Sequence, residues 1–252
     1  MTYPKGRKRF VVAGDSPYLA LTRDFLISEG WYLLSWDAAS DADLALLGVD
    51  LDSNTSYMPL AQIEMMALGT EHTKSVVMLS SPYLTIRTPD IDEWGDTVRA
   101  TWIYAKAAEE AFLNRYPAKT IRCIRPVNVI GPDLNNNFSF LFRYIKQGND
   151  ELLTSILDHK DTFIHQEDFL DAFRHLLTAD EFGAIDVSGG EMTYRNFLRN
   201  AYKFVNGANA EPRLLSEKVR DYKFEADLIK LNRSGWKPKY SVRGALFDVM
   251  SK

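Results

Sequence analysis

The sequence has one cysteine, no long apolar run and no strong excess of charge of either sign. Because Cys123 has no second cysteine to pair with, no internal disulfide can form, and we expect a reducing compartment, the cytoplasm. No apolar stretch reaches the roughly 20 residues of a membrane-spanning helix and no secretory segment is recognisable, so we expect neither membrane insertion nor export. A net charge of −4 argues against a protein that mainly neutralises phosphate backbone, so nucleic acid is not the expected partner.

The residues that are present are typical of a compact α/β protein. A chain of 252 residues with 46% hydrophobic and 25% charged residues can bury one such domain, or one domain with a small lobe. Strands are predicted at Arg9 to Ala13, Trp31 to Trp36, Leu44 to Val49, Ser75 to Leu79 and Thr120 to Ile124, and helices at Leu19 to Glu29, Pro59 to Gly69 and Trp94 to Asn114. This alternation implies a mostly parallel sheet with helices on both faces.

The pattern changes beyond Gly131 and Pro132. Aromatic-rich helices are predicted there at Phe138 to Gln147, Asp168 to Thr178 and Tyr194 to Val205, separated by short β-like pieces. We therefore expect a first domain of residues 1–132 and a smaller lobe of residues 133–252, with the chain crossing back to the first domain.

The turn between the first strand and the first helix, Gly14-Asp15-Ser16-Pro17-Tyr18-Leu19-Ala20, occupies the place of a dinucleotide-binding loop. Such a loop needs a helix N-terminus whose N–H groups meet a pyrophosphate, with glycines where backbone and phosphate come close. Of the three glycines only Gly14 is present, and Pro17 removes a backbone donor. Taken alone, the turn is equally well explained as a strand-to-helix connection without a ligand.

Asp37 ends the second predicted strand about twenty residues after this turn, where a carboxylate can accept hydrogen bonds from an adenosine ribose. That spacing favours NAD over NADP, although an acid at a strand end is by itself more often a turn residue. Only residues 38–43 separate Asp37 from the next predicted strand, and a helical crossover needs a dozen or more. The third strand of a dinucleotide-binding sheet, with its helix, is therefore predicted to be missing.

The helix predicted from Trp94 carries Trp102 and Lys106 four residues apart, so both lie on one face. A Tyr at position 102 would place its hydroxyl beside an ammonium that lowers its pKa, as in a proton-transferring Tyr-x-x-x-Lys pair. An indole N–H neither releases nor accepts a proton near neutral pH, and Tyr104 lies about 200° around the helix from Lys106. The lysine of such a pair is present without its phenol.

Several further segments carry a family resemblance. Arg125-Pro126-Val127-Asn128-Val129-Ile130-Gly131-Pro132 matches the pattern Arg-Pro-x-Asn-x-x-Gly-Pro, and Thr162-Phe163-Ile164-His165-Gln166-Glu167-Asp168 matches Arg-Asp-Phe-Ile-His-Val-x-Asp in part. Residues 185–190 and 235–238 are similar to Tyr-Asn-Ile-Gly-x-Gly and Leu-Gly-Trp-x-Pro. With the first turn and Lys106, the sequence resembles the extended short-chain dehydrogenase/reductase family, the NAD-dependent nucleotide-sugar epimerases and dehydratases.

The resemblance implies a Rossmann-like sheet, a small C-terminal α+β substrate lobe and a set of site residues. Hydride chemistry is implied for Lys106 and Ser81, and we hypothesise that Tyr83 replaces the lost phenol. Substrate contacts are implied for Asn128 and Trp102. Contacts to NAD, with NADP less expected, are implied for Gly14, Ser16, Tyr18, Asp37 and Lys106.

Three departures from the family fall on chemical positions: Trp102, Pro17 and Asp161, which stands where an Arg would bind a diphosphate. Two functions therefore stay open, and with them whether the chain is an enzyme. One is a divergent NAD-binding protein that acts on or binds a nucleotide-sugar or related small molecule, with the Tyr-dependent hydride chemistry lost or altered. The other is a non-catalytic regulatory or interaction protein on the same fold.

The sequence also bears on self-association and on a possible metal site. A homodimer through the helices around Glu64 and Glu109 is implied by the family alone. His165 and Asp168 are interpreted as structural residues rather than metal ligands, with Asp168 capping the helix that follows it.

Overall fold

The computed structural model describes residues 6–49, 69–70, 73–86, 96–117, 120–132, 134, 136–154, 160–216 and 224–252. The first half contains β1 (Arg9–Asp15), α1 (Pro17–Ser28), β2 (Tyr32–Leu33), a first 3-10 helix (Trp36–Asp41), β3 (Leu44–Val49), β4 (Val76–Leu79), a second 3-10 helix (Pro82–Thr85), α2 (Asp96–Arg115) and β5 (Ile121–Pro126). The second half contains β6 (Val129–Ile130), α3 (Asn137–Lys146), β7 (Glu151–Thr154), β8 (Lys160–His165), α4 (Gln166–Leu176), β9 (Gly183–Val187), β10 (Gly190–Thr193), α5 (Tyr194–Asn206), β11 (Arg213–Ser216), α6 (Ile229–Arg233) and α7 (Val242–Ser251).

In the described part of the chain the main sheet has six strands, in the order β2-β1-β3-β4-β5-β9. The pairings of β1 with β2 and β3, of β3 with β4 and of β4 with β5 are parallel. Every residue of β4 is buried, as expected for a strand covered on both faces. These pairings confirm the predicted Rossmann-like α/β architecture. The helix predicted from Pro59 to Gly69 lies almost entirely outside the described residues.

Among the described residues the sheet has no strand beyond β2, as the short connection after Asp37 predicts. All residues between β2 and β3 are described, and they form the first 3-10 helix instead of a strand with its crossover. Trp36 packs against the buried core under β1 and β3, and a Cβ added to Gly69 would lie 2.7 Å from its ring. The predicted strand Trp31 to Trp36 is too long, because Trp36 turns into this core from a helix.

Asp43 fixes the end of the shortened connection. Its carboxylate accepts hydrogen bonds from the backbone N–H of Arg9, at 3.0 Å, and from Lys74 Nζ, at 2.9 Å. Partial burial raises the pKa of Asp43, but the bonds from Lys74 and Arg9 outweigh it and hold the pKa below its usual value. The connection is thereby attached to the first residue of β1 and to the residues that lead into β4.

The chain divides into two compact units, one of residues 1–84, 100–125 and 180–185 and one of residues 85–99, 126–179 and 186–252. The domain boundaries expected from the sequence, 1–132 and 133–252, stay a prediction. The second unit contains a three-stranded sheet, β10-β8-β6, and a two-stranded sheet, β11-β7. Its core is aromatic, with Phe163 and Phe197 stacked at 4.4 Å between ring centroids. None of the described helices combines the length and the apolar character that crossing a membrane requires.

Candidate functional site

Gly14, near the carboxyl end of β1, is required by the sheet itself. Its φ is +94°, in the left-handed region that side chains disfavour. It pairs with Gly48 of β3, and a Cβ on Gly14 would overlap the Gly48 carbonyl oxygen. The residue that resembles a phosphate-loop glycine therefore has a structural reason to be glycine that does not involve a ligand.

The N-terminus of α1 is capped by its own chain. Ser16 is buried, and its Oγ accepts hydrogen bonds from the backbone N–H groups of Tyr18, at 3.2 Å, and Leu19, at 3.4 Å. Pro17 has no N–H to offer. The donors that would meet a pyrophosphate at a helix N-terminus are thus engaged with Ser16, and the Tyr18 side chain is buried. A phosphate at this helix end would compete with the serine hydroxyl for these two donors.

Asp37 is exposed, but it does not end a strand. Because β2 stops at Leu33, Asp37 lies in the first turn of the 3-10 helix Trp36–Asp41. The predicted strand-end position is therefore wrong. A ribose contact by Asp37 stays a prediction.

Ser81 and Tyr83 share one turn at the carboxyl end of β4. The buried Ser81 Oγ accepts a hydrogen bond from the Tyr83 backbone N–H at 3.2 Å, which leaves the hydroxyl able to donate its own proton. Tyr83 is half-buried on the second 3-10 helix. A serine at this edge of a parallel sheet lies where ligands of open α/β sheets bind.

Trp102 and Lys106 are in contact on α2. Lys106 Nζ lies 4.8 Å from the centroid of the Trp102 ring, the geometry of a cation–π pair, and 4.0 Å from Glu110 Oε1. The shared helix face expected from the four-residue spacing is confirmed. The Lys106 side chain is 51% exposed and therefore accessible to a ligand. An indole occupies the place beside the ammonium where the resemblance puts a phenol.

The structure contains a buried ionic network next to these residues that the sequence patterns do not predict. Glu109 of α2 is 4% exposed and binds Ser80 Oγ at 2.8 Å and Arg125 Nε at 3.0 Å, with a second contact from Arg125 Nη2. Glu109 and Arg125 each lie in a segment with a recognisable pattern, but no local signal pairs an acid with a base sixteen residues away. The side chain of Glu109 is buried within the chain. The dimer stays a prediction, and Glu64 lies outside the described residues.

Asn128 holds the segment after β5 in an unusual conformation. It is the only described non-glycine residue with positive φ, +47°, a region that Asn tolerates better than most residues. Its buried Nδ2 donates to the Thr162 carbonyl at 2.9 Å, and its own carbonyl accepts from the Ile164 N–H at 3.2 Å. Asn128 therefore connects the start of β6 to β8, whatever it contacts in a ligand.

We expect Asn128→Ala to lower the free energy of unfolding by about 2 to 3 kcal/mol, because it leaves a buried carbonyl without its donor and keeps an unfavourable φ. Asn128→Gly loses the same hydrogen bond without the backbone strain and should be about 1 kcal/mol more stable than Asn128→Ala. Urea denaturation of both variants measures the difference. Equal or inverted stabilities would contradict the strained conformation.

The remaining motif residues, Asp161, His165 and Asp168, bind backbone N–H groups of the same chain. Asp161 is buried, and its Oδ1 accepts from the Phe224 N–H at 3.0 Å. His165, not Asp168, is the N-cap of α4: its Nδ1 accepts from the Glu167 N–H. Asp168 instead binds the backbone N–H groups of residues 239 and 240, each at 2.9 Å. The capping role expected for Asp168 is therefore wrong, because the helix begins two residues earlier than predicted.

The chain resembles solved structures of nucleotide-sugar enzymes over nearly its whole length. A UDP-N-acetylglucosamine 4-epimerase from Methanobrevibacter ruminantium, in complex with UDP-N-acetylmuramic acid, is 16% identical with a TM-score of 0.71, covering 98% of each chain. A GDP-mannoheptose C4 reductase from Campylobacter jejuni with NADP bound is 14% identical with a TM-score of 0.64, covering 99% of each chain. A dTDP-glucose 4,6-dehydratase from Bacillus anthracis, in complex with NAD, is 12% identical with a TM-score of 0.66, covering 97% of this chain and 96% of the other.

No protein-family model and no curated protein sequence matches the chain. At such low identities the solved structures establish a common fold, and the resemblance read from the sequence motifs is confirmed at that level.

Proposed function

We propose that this chain, which has the fold of the extended short-chain dehydrogenases/reductases, binds a nicotinamide dinucleotide and a nucleotide-sugar or related small molecule without the Tyr-dependent hydride transfer of that family. The fold and the similar structures bound to NAD, NADP and a nucleotide-sugar support binding. The exposed Asp37 and its spacing from the first turn favour NAD.

The contact between Lys106 and Trp102 carries the proposal. In the family the lysine keeps a neighbouring phenol ready to accept a proton, while the bound dinucleotide accepts the hydride. Here the ammonium lies over an indole, which cannot accept that proton. Lys106 can still donate hydrogen bonds to ribose hydroxyls, and Ser81 can still hold a substrate hydroxyl. Binding is therefore retained without the group that removes the proton.

A second candidate, a non-catalytic regulatory or interaction protein, is favoured by the cap on α1. Ser16 and Pro17 together leave fewer backbone donors at this helix end than a pyrophosphate site uses. If that cap persists, the first unit binds no dinucleotide and the fold serves as a scaffold for another partner.

Thermal melts with NAD, NADP and a panel of sugar nucleotides separate the two candidates. At a free ligand concentration about 100 times the Kd, binding stabilises the folded state by about 2.7 kcal/mol, which raises the Tm by several degrees. A saturable rise with NAD or NADP supports the proposed function. The absence of a rise with any nucleotide favours the interaction protein.

Replacement of the indole tests the lost step directly. We expect Trp102→Tyr, incubated with NAD and sugar nucleotides, to gain NADH formation at 340 nm that the native chain lacks, because the phenol would lie beside Lys106. Trp102→Phe is the matched control, since it alters the ring without supplying a hydroxyl. Equal hydride transfer by the native chain, or a gain in Trp102→Phe as well, would show that another group removes the proton; Tyr83→Phe would then identify Tyr83 as that group.

A further inference from the structure

Glu109 is a buried acid that the proposed chemistry does not use. It lies on α2 three residues after Lys106 and is 4% exposed. Transfer of a carboxylate out of water costs several kcal/mol unless partners compensate for it. Its environment therefore has to supply hydrogen bonds and opposite charge.

The partners come from two neighbouring strands. Ser80, which donates to Glu109 Oε2, follows the last residue of β4, and Arg125, whose Nε and Nη2 meet the two carboxylate oxygens, lies near the end of β5. One carboxylate thus connects α2 to the carboxyl ends of both strands. A bidentate Arg–carboxylate pair fixes orientation as well as distance, which a point charge does not.

We propose that Glu109 is a positioning residue of the ligand site. It holds the part of α2 that carries Lys106 in register with Ser81, the neighbour of Ser80, so that the ammonium and the serine hydroxyl meet one ligand. A buried ion pair is a weak means of stabilising a fold, because apolar side chains of similar volume often stabilise it as well. Directional attachment of the helix is what such side chains do not provide. The proposal rests on the proposed function for the identity of the ligand.

The test replaces the three described members of the network by apolar groups, in the triple variant Glu109→Met, Arg125→Met and Ser80→Ala, so that neither charge of the bidentate pair stays buried without the other. NADH is the probe, and its affinity is measured by energy transfer from tryptophan. We expect the Tm to stay within a few degrees of the native value while NADH affinity falls by about tenfold or more, since misplacement of about 1 Å is costly. Arg125→Lys keeps the positive charge but cannot form the bidentate pair with Glu109. We expect it to lower NADH affinity to a smaller extent.

Unchanged NADH affinity in a stable triple variant would overturn the positioning role while leaving the proposed function intact. If the native chain binds neither NADH nor NADPH, the proposed function fails, and amide hydrogen exchange decides the positioning role separately. Faster exchange at residues 104–110 of the triple variant, at an unchanged Tm, supports it, and unchanged exchange overturns it. Should the triple variant not fold, NADH affinity and amide hydrogen exchange are compared between Arg125→Lys and the native chain instead.

Discussion

Gly14→Ala is expected to lower the free energy of unfolding by about 4 kcal/mol or more, which is at the upper end for a single substitution. The added methyl would overlap the Gly48 carbonyl, and no rotamer can relieve a clash between Cβ and backbone. Because Gly14 and Gly48 pair within the sheet, separation of β1 from β3 would break hydrogen bonds of the central ladder. Urea denaturation measures the loss of unfolding free energy. An insoluble variant would indicate that this loss exceeds the free energy of unfolding of the native chain.

Gly30→Ala is the matched control for the backbone part of this effect. Gly30 has a φ of +85°, close to that of Gly14, but a Cβ there meets no atom within 4 Å. Its substitution should cost only the strain of a left-handed conformation, about 1 to 2 kcal/mol. Equal losses for the two variants would mean that the conformation, rather than the close approach to Gly48, makes glycine necessary at position 14.

Glu109→Ala is expected to cost about 3 to 5 kcal/mol, because it removes the carboxylate that forms a bidentate pair with the largely buried Arg125 guanidinium. Ser80 also loses the acceptor of its hydroxyl. The free energy of unfolding from urea titration checks the magnitude. This loss concerns one partner removed alone, and it is compatible with a stable chain when all three partners are replaced together.

Glu110→Ala, one residue further along α2, is the control. Its side chain is 62% exposed, and its Oε1 lies 4.0 Å from Lys106 Nζ. Surface substitutions of this kind change stability by about 0.5 kcal/mol or less. A comparable loss in both variants would place the effect in the helix rather than in the network of Glu109.

Local patterns predicted most of the elements. The bounds of the strand Leu44–Val49 agree with the sequence pattern, because an apolar run flanked by aspartates has few alternatives, and the contact of Trp102 with Lys106 follows from helix geometry alone. The second strand was extended too far, since aromatic residues favour strands. Whether Trp36 continues a strand or packs into the core depends on the space beside β2. A short stretch of sequence carries no information about that space.

The site was predictable only in the parts that a single segment contributes. Ser16 before Pro17 is a recognisable helix start, so the cap on α1 could have been read from the sequence. The network of Glu109 depends on how α2 packs over β4 and β5. Its partners lie 29 and 16 residues away, and tertiary packing alone brings them together.

The narrowed sheet has a consequence for self-association. In the described part of the chain its outer strand on the shortened side is β2, with only two residues in register with β1, although Tyr32 and Leu33 are both partly exposed. Long bare edges invite strands of other molecules and promote aggregation, whereas very short edges offer them little to pair with. Within the described residues, this edge of the sheet therefore offers a strand of another molecule only two residues to pair with.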